Sequence, residues 1–409
     1  MPPHRASTTN KGKYHDNTRP DPALSFPLGV AAATATAENE EYSKEHHVKT
    51  LTRTPEWHTN IVIGPLGRRT TLTLPSSTRV DEHLHRNYPT IRRANAKLLS
   101  QREIVLGDRC CTNGRILNVL QGEMAHAVPS QTDVITSDEA TTCHILAMRS
   151  MTVECGVLGS LAHLDCAAYE CDLRAMLYEH VSHHAAVLLL PGKKVTVDVH
   201  IMGGFDDEDE LSIEISEHLL RCLAKFVEEP MLACRLDVRL RTCAISKLND
   251  IGTECPIGRG LAMDLASGEV FLSTVHPDAA GPALDLRSCR IYGDCYDHLS
   301  LVHTSNQSAI VVNPFRFREV ENIDLLLELN DRTMLNVIST SPKVEKSNFC
   351  SNVRRNLKFL KNRDWREVFG TLCNRPVLFT RHQEDILYSD SCVPELSCLS
   401  GSLNKWMKV

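Results

Sequence analysis

The stretch Ser137-Asp138-Glu139-Ala140-Thr141-Thr142-Cys143-His144 runs directly into the apolar segment Ile145-Leu146-Ala147-Met148. It follows a polar, extended segment over 131–136. The pattern reads as a small, hydroxyl-rich turn that delivers a cysteine to the start of a strand. Further on, Leu161-Ala162-His163-Leu164-Asp165 is a second apolar segment, and it carries a histidine. The thiolate is the nucleophilic form of cysteine, and a free thiol is mostly protonated at neutral pH, so a catalytic cysteine needs a base. Cys143 and His163 on neighbouring strands would supply that pair. The chain holds 16 cysteines and 19 histidines, so such pairs arise cheaply. Spacing alone leaves a buried structural thiol open beside the catalytic reading.

Outward from this centre the chain alternates short strands and helices. Leu72-Thr73-Leu74-Pro75 reads as a strand closed by proline, followed by a helix start at Val80-Asp81-Glu82, and 90–106 reads as helical and then extended. Strands are expected at 116–120, 145–149, 155–158, 161–164, 195–201, 236–245, 288–292, 299–303 and 309–312. A hairpin turns at Ser267-Gly268. Helical spacing marks 172–190, 211–226, 323–329, 331–337 and 349–360. The pair His183-His184 on the first of these helices reads as solvent-facing rather than metal-binding, since adjacent helical residues point in different directions. The acidic run over 206–210 stands before a helix, where carboxylates are favourable without any further role. The basic face of 349–360 (Arg354, Arg355, Lys358, Lys361) reads as a solvated helix surface.

Composition narrows the function classes. The 409 residues are 42% hydrophobic, enough for a substantial core, and carry a net charge of −6. That charge, with no long basic stripe, argues against nucleic acid as a partner. The cysteines are scattered through apolar runs without a paired CxxC array, which fits reduced thiols in an intracellular protein better than a disulfide framework or a zinc site. No apolar run approaches the ~20 residues that span a bilayer, and the amino terminus lacks a secretory pattern. The expectation is a cytoplasmic protein, with the nucleus also open to it, and no membrane partner. Residues 1–60 read as a disordered extension, 61–365 as the folded domain, and 366–409 as a tail with short strands.

Several blocks in order resemble the protein N-terminal asparagine amidohydrolases: Ser137 to His144, Leu72-Thr73-Leu74-Pro75, Val199-His200-Ile201-Met202-Gly203-Gly204-Phe205, Leu248-Asn249-Asp250, and Ser339-Thr340-Ser341-Pro342 with Phe359-Leu360-Lys361. The resemblance covers 61–365. It implies hydrolysis of the side-chain amide of an N-terminal asparagine to aspartate and ammonia, a step that leads through arginylation to ubiquitin-dependent degradation. It also implies Cys143 as nucleophile. A weaker likeness to bacterial chemoreceptor glutamine deamidases and cytotoxic-necrotizing-factor toxins adds a hydroxyl before the cysteine, a histidine after it and a Gly-Gly turn. Ser137, His163 and Gly203-Gly204 fit that layout. His163 is followed here by Leu164-Asp165-Cys166, a departure from the family pattern.

The implied fold is α/β (α+β): a layered α/β sandwich of mixed, largely antiparallel sheets with peripheral helices. In the implied chemistry Cys143 attacks the amide, His163 carries the proton, Ser137 orients the imidazole, and backbone amides stabilise the oxyanion. Asp138, Glu139 and Asp207 are candidates to bind the substrate's free ammonium, with Thr141, Thr142, Gly203 and Gly204 lining the site. Each carboxylate also has a plainer reading as a turn or cap residue. No cofactor or metal is required, the partner is a protein or peptide with a free N-terminal Asn, and the enzyme is expected to act as a monomer. The rival readings are a protein-glutamine deamidase or other thiol hydrolase, and a non-catalytic scaffold that keeps the fold.

Overall fold

Alternation along the central strands decides which side chains meet. The computed structural model describes residues 57–63, 70–75, 79–107, 114–207, 210–250, 256–294, 297–317, 319–339, 341–343, 345–381 and 406–409. Within them the strands, in chain order, are β1 (Trp57–Ile63), β2 (Thr70–Leu74), β3 (Ile104–Leu106), β4 (Ile116–Asn118), β5 (Glu123–Ala127), β6 (Val134–Ala140), β7 (His144–Thr152) and β8 (Gly156–Leu164). They continue as β9 (Val195–Gly203), β10 (Leu236–Ile245), β11 (Arg259–Asp264), β12 (Val270–Val275), β13 (Ser300–His303), β14 (Ala309–Val312), β15 (Val377–Arg381) and β16 (Trp406–Lys408). The helices of eight residues or more are α1 (Val80–Asn87), α2 (Pro89–Leu99), α3 (Glu170–His183), α4 (Leu211–Glu228), α5 (Asp331–Ile338) and α6 (Phe349–Asn362). None is long and apolar enough to cross a membrane.

Eight strands form one mixed sheet in the order β13-β5-β8-β7-β9-β10-β1-β2, and five form a second, β3-β12-β11-β6-β4. β7 is antiparallel to both its neighbours, β8 and β9, whereas β9 and β10 run parallel. Leu146, Met148, Ala162 and Leu164 pack with Leu173, Met176 and Leu177 of α3 and Leu219, Leu220 and Leu223 of α4. The intervening residues Ile145, Ala147 and Leu161 pack instead with Ile135, Leu261, Met263 and Leu272 of the second sheet. The period of two along a strand therefore builds three layers: helices, the eight-stranded sheet, and the five-stranded sheet. This agrees with the expected α/β sandwich.

Some local expectations change. Ser137 to Ala140 belong to β6 of the second sheet rather than to the turn, which is confined to Thr141, Thr142 and Cys143. Gly156 and Gly159 do not divide the chain into separate segments; both lie in the single strand β8. Residues 284–292 are helical, not a strand. Leu286, Arg287, Cys289, Arg290 and Tyr292 are the buried positions, a helical spacing, and Arg287 is anchored in a buried ion pair with Glu123 (Nη2 to Oε2, 2.6 Å). Residues 57–60, read as part of the extension, open β1. In the segment read as a tail, Phe369 is buried against Phe315 and β15 pairs with β14. The rest of the extension lies outside the described residues.

His184 is fully buried, against the expectation that the His183-His184 pair faces solvent. It closes a chain of histidines and serines between the large sheet and α3. His126 Nδ1 lies 2.7 Å from Ser160 Oγ, which lies 3.1 Å from His180 Nε2. His180 Nδ1 lies 2.6 Å from Ser150 Oγ, which lies 2.8 Å from His184 Nε2. Serine hydroxyls at alternate strand positions thus satisfy imidazoles that would otherwise be buried without partners.

Burial depresses the pKa of His126 and His163 to about 4 and of His144 and His200 to about 3, and holds His180 well below the ordinary range. The unfolded chain takes up protons on these residues near pH 6.5 while the folded protein refuses them until about pH 4 or lower, so stability falls with pH across that window. Each group contributes up to about 1.4 kcal/mol per pH unit. Asp138, raised to about 6 by burial and by neighbouring Glu139, opposes this with one proton in the other direction. Thermal unfolding followed from pH 7 to pH 5 is expected to show a melting temperature that drops steadily; a flat profile would contradict neutral buried histidines.

Candidate active site

The site lies where β6, β7 and β8 meet between the two sheets. Ile145 pairs with His163 across β7 and β8, so the two side chains share a sheet face, the one turned to the second sheet. Cys143, one alternation before Ile145, packs against the same inter-sheet core. From β6, Ile135 faces that core, and Ser137 stands one alternation further along the same face. Three strands thereby bring Cys143, His163 and Ser137 to one edge of the inter-sheet space.

The Ser137 hydroxyl determines which form of His163 is present. Its Oγ lies 2.6 Å from the Val119 carbonyl and 2.7 Å from His163 Nδ1. A carbonyl only accepts, and the hydroxyl has one hydrogen. Ser137 therefore donates to Val119 and accepts from Nδ1–H. The imidazole proton sits on Nδ1, and Nε2 keeps its lone pair. That Nε2 is buried and has no hydrogen-bond partner among the described residues. It is a base with nothing attached to it. Burial depresses the His163 pKa to about 4, partly offset by Asp165, so the base form prevails at neutral pH.

Cys143 is half-buried. Burial, then Asp165, pushes its thiol above the ordinary range, with Glu345 adding to the effect and the Thr142 hydroxyl, 4.0 Å from Sγ, opposing it. No hydrogen bond joins the sulfur to His163 among the described residues. Burial thus favours the neutral thiol and the neutral imidazole on this sheet face over a thiolate–imidazolium pair.

Two backbone devices aim the cysteine. Between Ser137, which faces Leu261, and Ala140, which faces Arg259, Asp138 and Glu139 oppose the single residue Gly260. This is a bulge, with Glu139 at φ 60°, and it redirects the chain into the turn that carries Cys143. On the other side the Gly203-Gly204 turn grips the backbone of Cys143. The Gly204 amide donates to the Cys143 carbonyl at 2.9 Å. A Cβ on Gly203, at φ +124°, would stand 2.2 Å from that carbonyl oxygen, and one on Gly204, at φ +69°, would stand 2.7 Å from the His144 ring. Only glycine suits both positions. Asn249, fully buried, donates through Nδ2 to the carbonyls of Gly203 and Gly204 at 2.9 Å each.

The remaining candidates separate by partner. His144 points to the helical layer, with Nε2 2.6 Å from Ser216 Oγ on α4, away from the face His163 occupies. Asp207 caps α4, accepting from the Leu211 and Ser212 amides at 2.8 and 3.0 Å. Asp138 accepts from the Val275 amide at 2.9 Å, and the Lys346 ammonium lies 3.8 Å from Asp138 and 3.2 Å from Glu139. The Thr142 carbonyl accepts from Ser212 Oγ, and Thr141 borders Gly258. Sequence reasoning missed Val119, Asp165, Glu345 and Lys346. Glu345 is held by the Ser339 hydroxyl, and burial, opposed by that bond, pushes its carboxyl up. Nothing in the spacing near Cys143 points to a residue two hundred positions away.

A family model described as protein N-terminal asparagine amidohydrolase matches residues 108–389. The protein N-terminal asparagine amidohydrolase of Sus scrofa is 27% identical over 251 residues, 60% of this chain and 74% of that protein. Those of Mus musculus and Arabidopsis thaliana are each 25% identical, over 66% of this chain and 83% and 80% of their own lengths.

A thiol held protonated reacts slowly with neutral alkylating agents at neutral pH, because only the thiolate attacks. Alkylation of Cys143 by iodoacetamide, followed by peptide mass mapping, is expected to accelerate throughout the range above pH 8. A reactivity plateau reached below pH 7 would reveal a preformed thiolate and contradict this geometry.

Proposed function

The chain belongs to the protein N-terminal asparagine amidohydrolase family, and from that premise we propose that it hydrolyses the side-chain amide of N-terminal asparagine to aspartate and ammonia by covalent catalysis at Cys143. The observation that carries the mechanism is the unpartnered Nε2 of His163, fixed as a lone-pair acceptor by Ser137 on the face that Cys143 shares.

The steps follow from that proton inventory. As Sγ of Cys143 attacks the amide carbon, its proton passes to His163 Nε2, since the thiol is not ionised beforehand. The resulting imidazolium keeps Nδ1–H on Ser137 Oγ and gains from the negative charge of Asp165. The oxygen of the tetrahedral intermediate carries the charge that backbone amides of the Cys143 turn stabilise. His163 then returns the proton to nitrogen, ammonia leaves, and a thioester remains. Water attacks the thioester carbon, His163 takes the water's proton, and the proton returns to sulfur as the aspartate is released.

Substrate charge suits the surroundings. Asp138, Glu139, Glu345 and Asp165 gather near Cys143 by their electrostatic influence on one another or on the thiol, and Asp138 and Glu139 share one ammonium, that of Lys346. A net-negative rim favours a substrate with a free α-ammonium and disfavours an acylated one. The new aspartate enters the ubiquitin-dependent N-degron route, as the sequence resemblance implies.

Peptides beginning with Asn, Gln and acetyl-Asn, assayed for ammonia, separate the readings. Only free Asn is expected to react, with Cys143→Ala abolishing turnover. Comparable turnover of the acetylated peptide would contradict ammonium recognition, and preferential turnover of Gln would favour a glutamine deamidase. Ser137→Ala is expected to lower kcat on the order of 10- to 100-fold with KM little changed, because the imidazole loses its tautomer control. An unchanged kcat would remove Ser137 from the mechanism.

A further inference from the structure

We infer that Glu345 is the residue that binds the substrate's α-ammonium, so that the specificity for a free amino terminus is set by the 339–346 loop and not by the carboxylates beside the cysteine in sequence. The inference rests on the proposed function and names its ammonium site.

The candidate carboxylates differ in what each already holds. Asp207 accepts from two backbone amides at the start of α4. Asp165 accepts from Gln121 Nε2 at 2.9 Å and from the Tyr169 hydroxyl. Asp138 and Glu139 share the Lys346 ammonium, and Asp138 also accepts from the Val275 amide. Each is neutralised or hydrogen-bonded by the protein itself. Glu345 differs. Among the described residues its carboxylate has one hydrogen-bond partner, the neutral Ser339 hydroxyl, and pairs with no cation.

Its place in the loop follows from its neighbours. Lys346 reaches across to Asp138 and Glu139, directly before the turn that carries the nucleophile, which docks the loop against that turn. Ser339, whose Oγ also accepts from the Ser341 amide, holds one oxygen of Glu345 from behind. The carboxylate is half-buried and close enough to Cys143 to influence its thiol. A half-desolvated carboxylate with a neutral tether and no cation is suited to receive an external ammonium, because a charge-assisted bond replaces no internal ion pair. Lys346 has the complementary role: its one ammonium is shared by Asp138 and Glu139, whereas Glu345 holds no cation among the described residues.

Binding measured apart from chemistry tests this. In the Cys143→Ala background, calorimetric titration with an Asn-starting peptide and its acetylated form gives the discrimination directly. Glu345→Gln in that background is expected to raise the Kd of the free peptide at least 30-fold and bring it close to that of the acetylated one, with Glu345→Asp recovering part of the loss. In the otherwise native enzyme, Glu345→Gln is expected to raise KM far more than it lowers kcat, since a charge-assisted contact to the ground state is what is removed. Discrimination that survives Glu345→Gln overturns the inference alone. Failure of the Cys143→Ala protein to distinguish the two peptides overturns the proposed function with it. If Glu345→Gln does not fold, Ser339→Ala, which keeps the charge but releases its tether, is expected to raise KM by 3- to 10-fold, and an unchanged KM contradicts the inference.

Discussion

One hydroxyl hydrogen fixes the tautomer of His163. Ser137 lies between a carbonyl that can only accept and an imidazole nitrogen, and its single proton goes to the carbonyl. The histidine is thereby held with Nδ1 protonated and Nε2 bare. A carboxylate in the same position would also orient the ring, and would add a full negative charge to a site already rich in acids. A neutral hydroxyl fixes the tautomer without doing so, and leaves the histidine a base of low pKa that exists in the right form at neutral pH. The cost of that choice is a weak base paired in the proposed mechanism with a weakly acidic thiol. In that mechanism proton transfer accompanies attack, and the negative charge of Asp165 offsets part of the mismatch by favouring the imidazolium.

The scaffold serves the same constraint. Cys143, at the junction of a bulge and a strand, has two ways to drift, and each is closed by backbone contact. The bulge opposite Gly260 sets where the chain leaves the second sheet, and the Gly203-Gly204 turn, held by Asn249, sets where Cys143 enters the first. These are contacts between main chains, so they tolerate little side-chain variation. The same sheet carries a second set of serine–histidine contacts, far along β7 and β8, whose role is structural: Ser150 and Ser160 satisfy histidines from α3 and β5. Similar residue pairs thus do different work depending on whether a ring nitrogen is left unpartnered.

That difference explains how much was legible in the sequence. The apolar run Ile145-Leu146-Ala147-Met148 reads as a strand and forms part of β7, and the resemblance carried by the ordered blocks around Cys143 implied the layered fold. Ser137 was read as part of a turn because its neighbours are small and polar; only pairing with β11 shows it in a strand facing His163. His184 was misjudged because adjacent helical histidines suggest solvent, and the serines that bury it come from another element. Glu345 and Lys346 carry no local signal at all, since their significance lies in a loop that returns to Cys143 from far along the chain. Asp207 shows the converse: a suggestive acid whose two oxygens are committed to a helix cap.

Covalent attachment of the substrate to Cys143 is the claim on which the rest depends. Rapid mixing of enzyme with an excess of an Asn-starting peptide, acid quench and intact-protein mass spectrometry would report it within single turnovers. The account predicts a transient adduct equal to the peptide less one ammonia, located on Cys143 by fragmentation and discharged as the aspartyl peptide. Ammonia release with no adduct at any quench time, or an adduct on a different residue, would contradict it.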